Sequence, residues 1–267
     1  MSNLSLVLGS RIETLGAGTG TGTSVTANST PNVKGASWTQ IGSATSFDYN
    51  EVFLSIALGG TVVGRVRFDL GVVTSGGSTQ IIAADLFMDF STVASHADFV
   101  LPVNIPKGAT LWGRCQSNTA SVVLSVVING IQGQGRMMRG CRGIASCTDW
   151  TNTDPTNTAT LNGTTFTSWV QIQSSTAQRI GGLIVAIDGK GATLTSANVL
   201  FQVGWGSAGN ERTLFQFAVR MAGAINVPPA VGPIPCDLPS GTRLAFRAQA
   251  SAADTNVLGL ALMGLIA

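Results

Sequence analysis

Charge is what this chain has least of. Of its 267 residues, 10% are Asp, Glu, Lys or Arg, against about 25% in an average soluble domain. Apolar residues make up 44%, which excludes disorder by charge and supplies a large core. So little charge cannot coat two free globules well. The surface should be Ser, Thr, Asn, Gln, Gly and Ala, with part of it covered by other subunits. A net charge of +2 is not the footprint of a nucleic-acid binder, which needs a concentrated basic face. Aromatics are 6%, with one Tyr, so a platform for stacking bases is not expected.

Histidine and cysteine are equally sparse. His96 is the only histidine, it sits in loop-like "VASHADF", and no GxSxG elbow supports it as a triad member. The acids are scattered, and Asp149 and Asp154 in "TDWTNTDP" lack the ligand spacing of a calcium loop. The glycine-rich "GAGTGTGT" has no following lysine, which excludes a phosphate loop. No catalytic residue, metal ligand or cofactor is expected. Cys115, Cys141, Cys147 and Cys236 make no CxxC pair and read as free buried thiols, with a Cys141–Cys147 bridge as the alternative. The start, "MSNLSLVLGSRIE", lacks a basic region, and the apolar run "VLGLALMGLIA" is far short of the roughly 20 residues that span a bilayer. A soluble chain made in a cytoplasm is the expectation.

What the chain does have is a sentence written twice. "LPVNIPKGATLWGRCQS" at 101–117 returns as "IPCDLPSGTRLAFRAQA" at 234–250. "SWTQI" (37–41) returns as "SWVQI" (168–172), "FLSIALGG" (53–60) as "GLIVAIDG" (182–189), "VRFDLG" (66–71) as "VLFQVG" (199–204), and "VLSVVING" (123–130) as "VLGLALMG" (257–264). Order is kept and the offset drifts by only a few residues, as a tandem duplication with small loop insertions would produce. A period above 100 residues means two domains and not a solenoid. The expected organisation is an arm and Gly/Thr/Ser-rich tether (1–34), a first unit (35–132), a linker (133–165) and a second unit (166–267).

Each unit reads as all-β. Val66, Phe68 and Leu70 alternate with Arg67 and Asp69, and Leu244, Phe246 and Ala248 alternate with Arg243, Arg247 and Gln249; period two is a strand buried on one side. "GG" at 59–60 and "DG" at 188–189 read as hairpin turns. The best helical candidate is "TQIIAADLFMDF" at 79–90. The repeated P-x-x-x-P-x-G places Pro102 and Pro106, then Pro235 and Pro239, at strand edges, and Gly108 and Gly241 in turns that need positive φ. Short strands and about 100 residues per unit predict two tandem jelly-roll-like β-sandwiches.

Three groups of residues are candidates for contact. Leu4, Leu6, Val7 and Leu8 form an apolar arm that pairs with a neighbour or folds back onto its own unit. Arg136, Arg139 and Arg142 in the linker either meet acidic protein or packaged nucleic acid, or are simply solvated. Trp112, Trp150 and Trp205, unlike the repeated Trp38 and Trp169, either pack or stack on a glycan or partner.

The doubled runs "SWTQI", "LPVNIPKGATLWGRCQS" with "IPCDLPSGTRLAFRAQA", and "VLSVVING" resemble β-sandwich structural proteins from the virions of tailed bacteriophages. The resemblance covers both units, not the arm or linker, and carries over no catalytic residue. It implies a non-enzymatic component of the virion, made in the bacterial host cytoplasm: a capsid decoration, a head spike or fibre, or a tail-attached protein. It also implies homo-oligomers, often trimers, held on the particle by an N-terminal arm, here "MSNLSLVLGSRIETL". The Arg-containing linker departs from that pattern. Two alternatives stand beside it: a carbohydrate-binding host-attachment module, and a double-barrel major capsid subunit.

Overall fold

Period-two alternation decides the architecture, because each alternating run needs a second sheet to bury its apolar side. The computed structural model describes residues 11–16, 22–90, 96–133, 141–189, 194–223 and 230–267, with only the backbone at 194–197 and 221–223. Leu4, Leu6, Val7, Leu8, Arg136 and Arg139 lie outside the described residues. In the first half the strands are β1 (Arg11–Leu15), β2 (Thr23–Thr26), β3 (Thr39–Gly42), β4 (Glu51–Leu58), β5 (Arg65–Val73), β6 (Gln80–Asp89), β7 (His96–Leu101), β8 (Thr110–Ser117) and β9 (Val123–Gln132). The second half holds β10 (Gly143–Ser146), β11 (Trp150–Thr151), β12 (Asp154–Pro155), β13 (Ala159–Thr160), β14 (Val170–Gln173), β15 (Ile180–Asp188), β16 (Leu194–Trp205), β17 (Arg212–Gly223), β18 (Ala230–Leu238), β19 (Leu244–Ala250) and β20 (Val257–Ile266).

The two halves pair their strands in the same order. In the first, β1 and β2 lie on β9, followed by β4 and β7, and a second sheet runs β3-β8-β5-β6. In the second, β10 and β13 lie on β20, followed by β15 and β18, and a second sheet runs β14-β19-β16-β17. In each half a sheet of five strands faces one of four, and two facing sheets between which the chain crosses in this order are a jelly roll. The halves are joined because β10 also pairs with β6, parallel, through Ile144 and Ala83. That merges one sheet from each half into a single nine-stranded sheet.

The repeated proline sentence has one structural meaning in both places. Thr45 donates its N–H to Ala109 O (2.9 Å) and its hydroxyl to Pro106 O (2.9 Å), and accepts from Gly108 N–H (2.9 Å). Thr176 does the same with Thr242 O (2.9 Å), Pro239 O (3.0 Å) and Gly241 N–H (2.7 Å). Gly108 and Gly241 both sit at φ 82°, where a Cβ would strain the turn.

Several expectations change. The 79–90 run is strand β6 and not a helix. Its near-continuous apolar end is buried because both faces are covered, one by the core it shares with β15 and β20 and the other by Trp150 of the hairpin β11–β12, which erases the alternation that identifies a strand. "GG" and "DG" do not close hairpins: β4 and β5, like β15 and β16, belong to different sheets, so these glycines sit where the chain changes sheet. The register of β4 on β9 matches that of β15 on β20 when Phe53 is set against Ile184, two residues from the alignment of "FLSIALGG" with "GLIVAIDG". A slip of two keeps every side chain on its face, so the pattern alone cannot reveal it. The described part of the 1–34 arm, β1 and β2, is hydrogen-bonded to β9, and the 133–165 linker contributes β10 and β13 to the second jelly roll. A Cys141–Cys147 bridge is ruled out, since both thiols are free and strand β10 extends between them; a bridge needs Cα atoms within about 7 Å.

Candidate functional site

A cluster of the chain's charged residues gathers where the halves meet. The outward face of β5, β6 and β8 carries Arg65, Arg67, Asp69, Asp85, Asp89 and Arg114, and the hairpin β11–β12 lies over it. Asp69, 0% exposed, accepts from Lys34 Nζ (2.8 Å), Arg114 Nε (2.9 Å) and the Asp85 N–H (3.0 Å). Asp85 sits in a bulge of β6 at φ 56°, which turns its carboxylate towards Arg67. Arg67 binds it with two nitrogens, Nε at 3.0 Å and Nη2 at 2.7 Å, and Lys34 reaches it as well. Burial alone would raise the Asp85 pKa, but the Arg67 and Lys34 charges outweigh it and hold the carboxyl below its ordinary value.

The same arginine anchors the covering hairpin. Arg67 Nη1 donates to Asn152 O at 2.7 Å, and its guanidinium lies 4.5 Å from the Trp150 ring centroid. Gln116 Nε2 donates to Asn32 O (2.9 Å) and Thr153 Oγ1 (3.0 Å). At the other end, Arg65 Nε donates to Asp188 Oδ1 at 2.8 Å and lies 3.5 Å from Asp154, and Asp89 Oδ2 accepts the Gly189 N–H at 3.1 Å. Burial disfavours the Arg65 charge, yet Asp188, Asp89 and Asp154 together raise its pKa. Nine charged residues, four cations and five carboxylates, thus bind strand to hairpin and first half to second.

A second layer joins the halves through apolar contact. Ile184 and Ala186 of β15, Ala261, Met263 and Leu265 of β20 and Ile144 of β10 belong to the core of the first half, with Phe87 and Met88 of β6. The residues between them, Leu183, Val185, Ile187, Leu260 and Leu262, fill the core of the second. The β15–β20 sheet is a shared wall between two cores.

Elsewhere, an open cleft of ≈ 440 Å³ is lined by Asp48, Tyr49, Asn50, Asn104, Ile105, Pro106 and Gln132. Its titratable groups are committed. Asp48 accepts the Lys107 N–H at 2.7 Å, and the Tyr49 hydroxyl donates to Glu13 at 2.6 Å. Burial, then this bond, pushes the Tyr49 pKa up. Burial opposes the Glu13 charge, but hydrogen bonds from Ser46 and Tyr49 carry its pKa down.

The candidate tryptophans do not converge. Trp150 is half-buried between Arg67 and Phe87, whose ring lies 5.6 Å away, and its indole N–H donates to Ser146 Oγ. Trp112 is half-buried and donates to Thr110 Oγ1. Trp205, at the end of β16, is 37% exposed. Arg142 is exposed, and its N–H donates to Ile266 O. Trp38 and Trp169 are twins: Arg114 lies 4.5 Å over one and Arg247 4.6 Å over the other. Lys34, Arg65, Asp85, Asp89 and Asp188 were not expected as a cluster. Their one sequence signal is the charged outer face of "VRFDL"; the remaining members come from segments up to 123 residues away.

No family model matches the chain, and no curated protein does. Among solved structures, the naturally occurring empty particles of cowpea mosaic virus give a TM-score of 0.37 at 10% identity, over 92% of this chain and 90% of that one. The atomic structure of Sulfolobus turreted icosahedral virus gives 0.37 at 9%, over 96% and 90%. PNGF-II gives 0.32 at 9%, over 96% of this chain and 65% of that one, so this chain spans less than two thirds of it. These scores are too low to define a shared fold. The jelly-roll assignment rests on the strand order of this chain. Among the described residues, no helix is long and apolar enough to cross a membrane.

Proposed function

We propose that this chain is a structural protein of a virus particle that works by assembly and not by chemistry, and that its jelly rolls descend from one duplicated module. The observation that carries the reading is the shared wall. This module already uses a whole sheet face to dock on a copy of its own fold, and it does so inside a chain with too few charges for a free-standing surface. The twin Thr45 and Thr176 turns and the twin Arg–Trp stacks support common descent. The resemblance of the repeated runs to virion proteins of tailed bacteriophages supports reading the particle as a phage and the chain as made in a bacterial cytoplasm. Of the roles open to it, a double-barrel shell subunit is favoured over an arm-tethered decoration, spike or tail protein by one feature: residues 11–15 and 23–26 complete the first jelly roll's own sheet. A homo-oligomer, such as a trimer, follows from the same logic. Host-surface glycan binding has only Trp205 to recommend it.

The test is to purify intact particles, identify this chain by mass spectrometry and count its copies. Presence in hundreds of copies is expected, with density for two jelly rolls per chain in particle images. Absence from purified particles overturns the reading, and a few copies per particle returns it to a spike or tail role.

A further inference from the structure

The internal junction has two unused counterparts. The second jelly roll meets the first through the outer face of its β10–β20–β15 sheet, which covers the β6 and β7 end of the first sandwich. Ile144 at that junction is 3% exposed, Ile184 2%, Ala261 0% and Leu265 1%. Strand pairing identifies their equivalents in the first jelly roll. Ile144 opposes Leu265 as Ile12 opposes Ile131, and Ile184 opposes Met263 as Phe53 opposes Asn129. On this equivalent face Ile12 is 44% exposed, and Phe53, Val127 and Ile131 are half-buried.

The opposite end is open in the same way. Ala83 and Leu86 of β6 are both 0% exposed beneath the second jelly roll. Their equivalents on β17, by pairing with β16, are Phe215 and Phe217, and both are half-buried. Ile234 of β18 is half-buried where its equivalent Leu101 of β7 is 0% exposed. Among the described residues, β17 pairs only with β16 and β1 only with β9, so each leaves a strand edge open.

We infer that the β17–β18 end of one chain receives the Ile12 face of a second copy, repeating between chains the junction that β10 and β6 make within one. The occupant is named by the internal template: the face that fits this end is the face of this module, and the first jelly roll carries a free one. Such a contact is heterologous, with different patches meeting, so it closes into a ring or runs on as a fibre according to its rotation. Glu51 and Asn129 on the Ile12 face, where the internal junction has Gly182 and Met263, make the contact between chains more polar and weaker than the one within. Edge pairing of β1 on β17 supplies main-chain hydrogen bonds as other strand additions do.

The inference deepens the assembly reading by naming its partner, and it is tested on purified chain without any particle, so either can fail alone. Sedimentation of the full chain should show concentration-dependent species above the 27.4 kDa monomer. Ile12→Asp, at an exposed position, should keep its near-ultraviolet dichroism and sediment as a monomer. Phe215→Asp should do the same, with Phe215→Ser in its place if the aspartate unfolds the chain. An equimolar mixture of the two variants retains one intact face and one intact end, and should stop at a two-chain complex. A wild-type chain that stays monomeric at its solubility limit overturns the inference. So does association that survives Ile12→Asp, or any other stoichiometry of the mixture.

Discussion

The β4–β9 pair and the β15–β20 pair occupy the same place in their jelly rolls and carry different burial. Along β4 and β9, buried and half-exposed residues alternate; along β15 and β20, burial is nearly continuous. Strand order is therefore independent of what the outer face meets. One wall faces outward and the other divides two cores, and the side chains follow: Phe53, Ser55 and Val127 on the first, Ile184, Ala186 and Ala261 on the second. The sharpest way to break this comparison is a charge at equivalent positions. Ile184→Asp buries an unpaired carboxylate between two cores and should cost about 4 kcal/mol or more in urea denaturation. Phe53→Asp, at the matching half-exposed site, should cost under about 1 kcal/mol. Equal losses would mean that the outer face of β4 is as dry as that of β15.

The same contrast explains what could be read from the sequence. The proline sentence was legible because its turn is local: a proline and, two residues on, a glycine at positive φ make the same turn twice, at Pro106–Gly108 and Pro239–Gly241. One-sided strands such as "VRFDL" and "RLAFRAQ" were legible because alternation records a single buried face. Strands covered on both faces lose that record, which is why β6 resembles a helix in its pattern as much as a strand. Four-residue β10, with the sequence "GIAS", has too few apolar side chains to stand out from the linker segment that contains it. The ionic cluster was invisible for a different reason. Lys34 and Asp69 are far apart in the chain and meet only when the first jelly roll folds, and Asp154 and Asp188 reach Arg65 only when the second half lies against the first.

Charge divides the two halves as well. Arg65 and Asn198 are equivalent: the N–H of one donates to Asn118 Oδ1 at 2.7 Å, and that of the other to Ser251 Oγ at 2.9 Å. Only Arg65 reaches across the junction, to a fully buried Asp188. Removing one partner of a buried pair leaves the other desolvated, so Arg65→Met should cost about 3 kcal/mol. Asn198→Ala, exposed and without a charge to abandon, should stay within about 0.5 kcal/mol. The double variant Arg65→Met/Asp188→Leu should recover most of the loss, because it removes the stranded charge. A double variant no better than the single one would mean that Asp188 is stabilised mainly by other contacts.

Acid separates buried from exposed carboxylates by a smaller margin. Asp85 in the first half and Asp237 in the second both have pKa values below the ordinary 3.8, each beside an arginine. Asp85 is largely enclosed; the Arg179–Asp237 pair is 65% and 66% exposed, so water and salt screen it. A carboxylate with a lowered folded pKa contributes stability that is present above its unfolded value and lost as pH falls through the folded one. The melting temperature of the wild type should hold down to about pH 4 and then fall. Asp85→Asn should melt lower at pH 7 and converge on the wild type in acid, since it has already given up that contribution. Asp237→Asn should track the wild type throughout. Parallel curves for wild type and Asp85→Asn from pH 7 to pH 2 would show that the charge of Asp85 does not hold the hairpin over the first jelly roll.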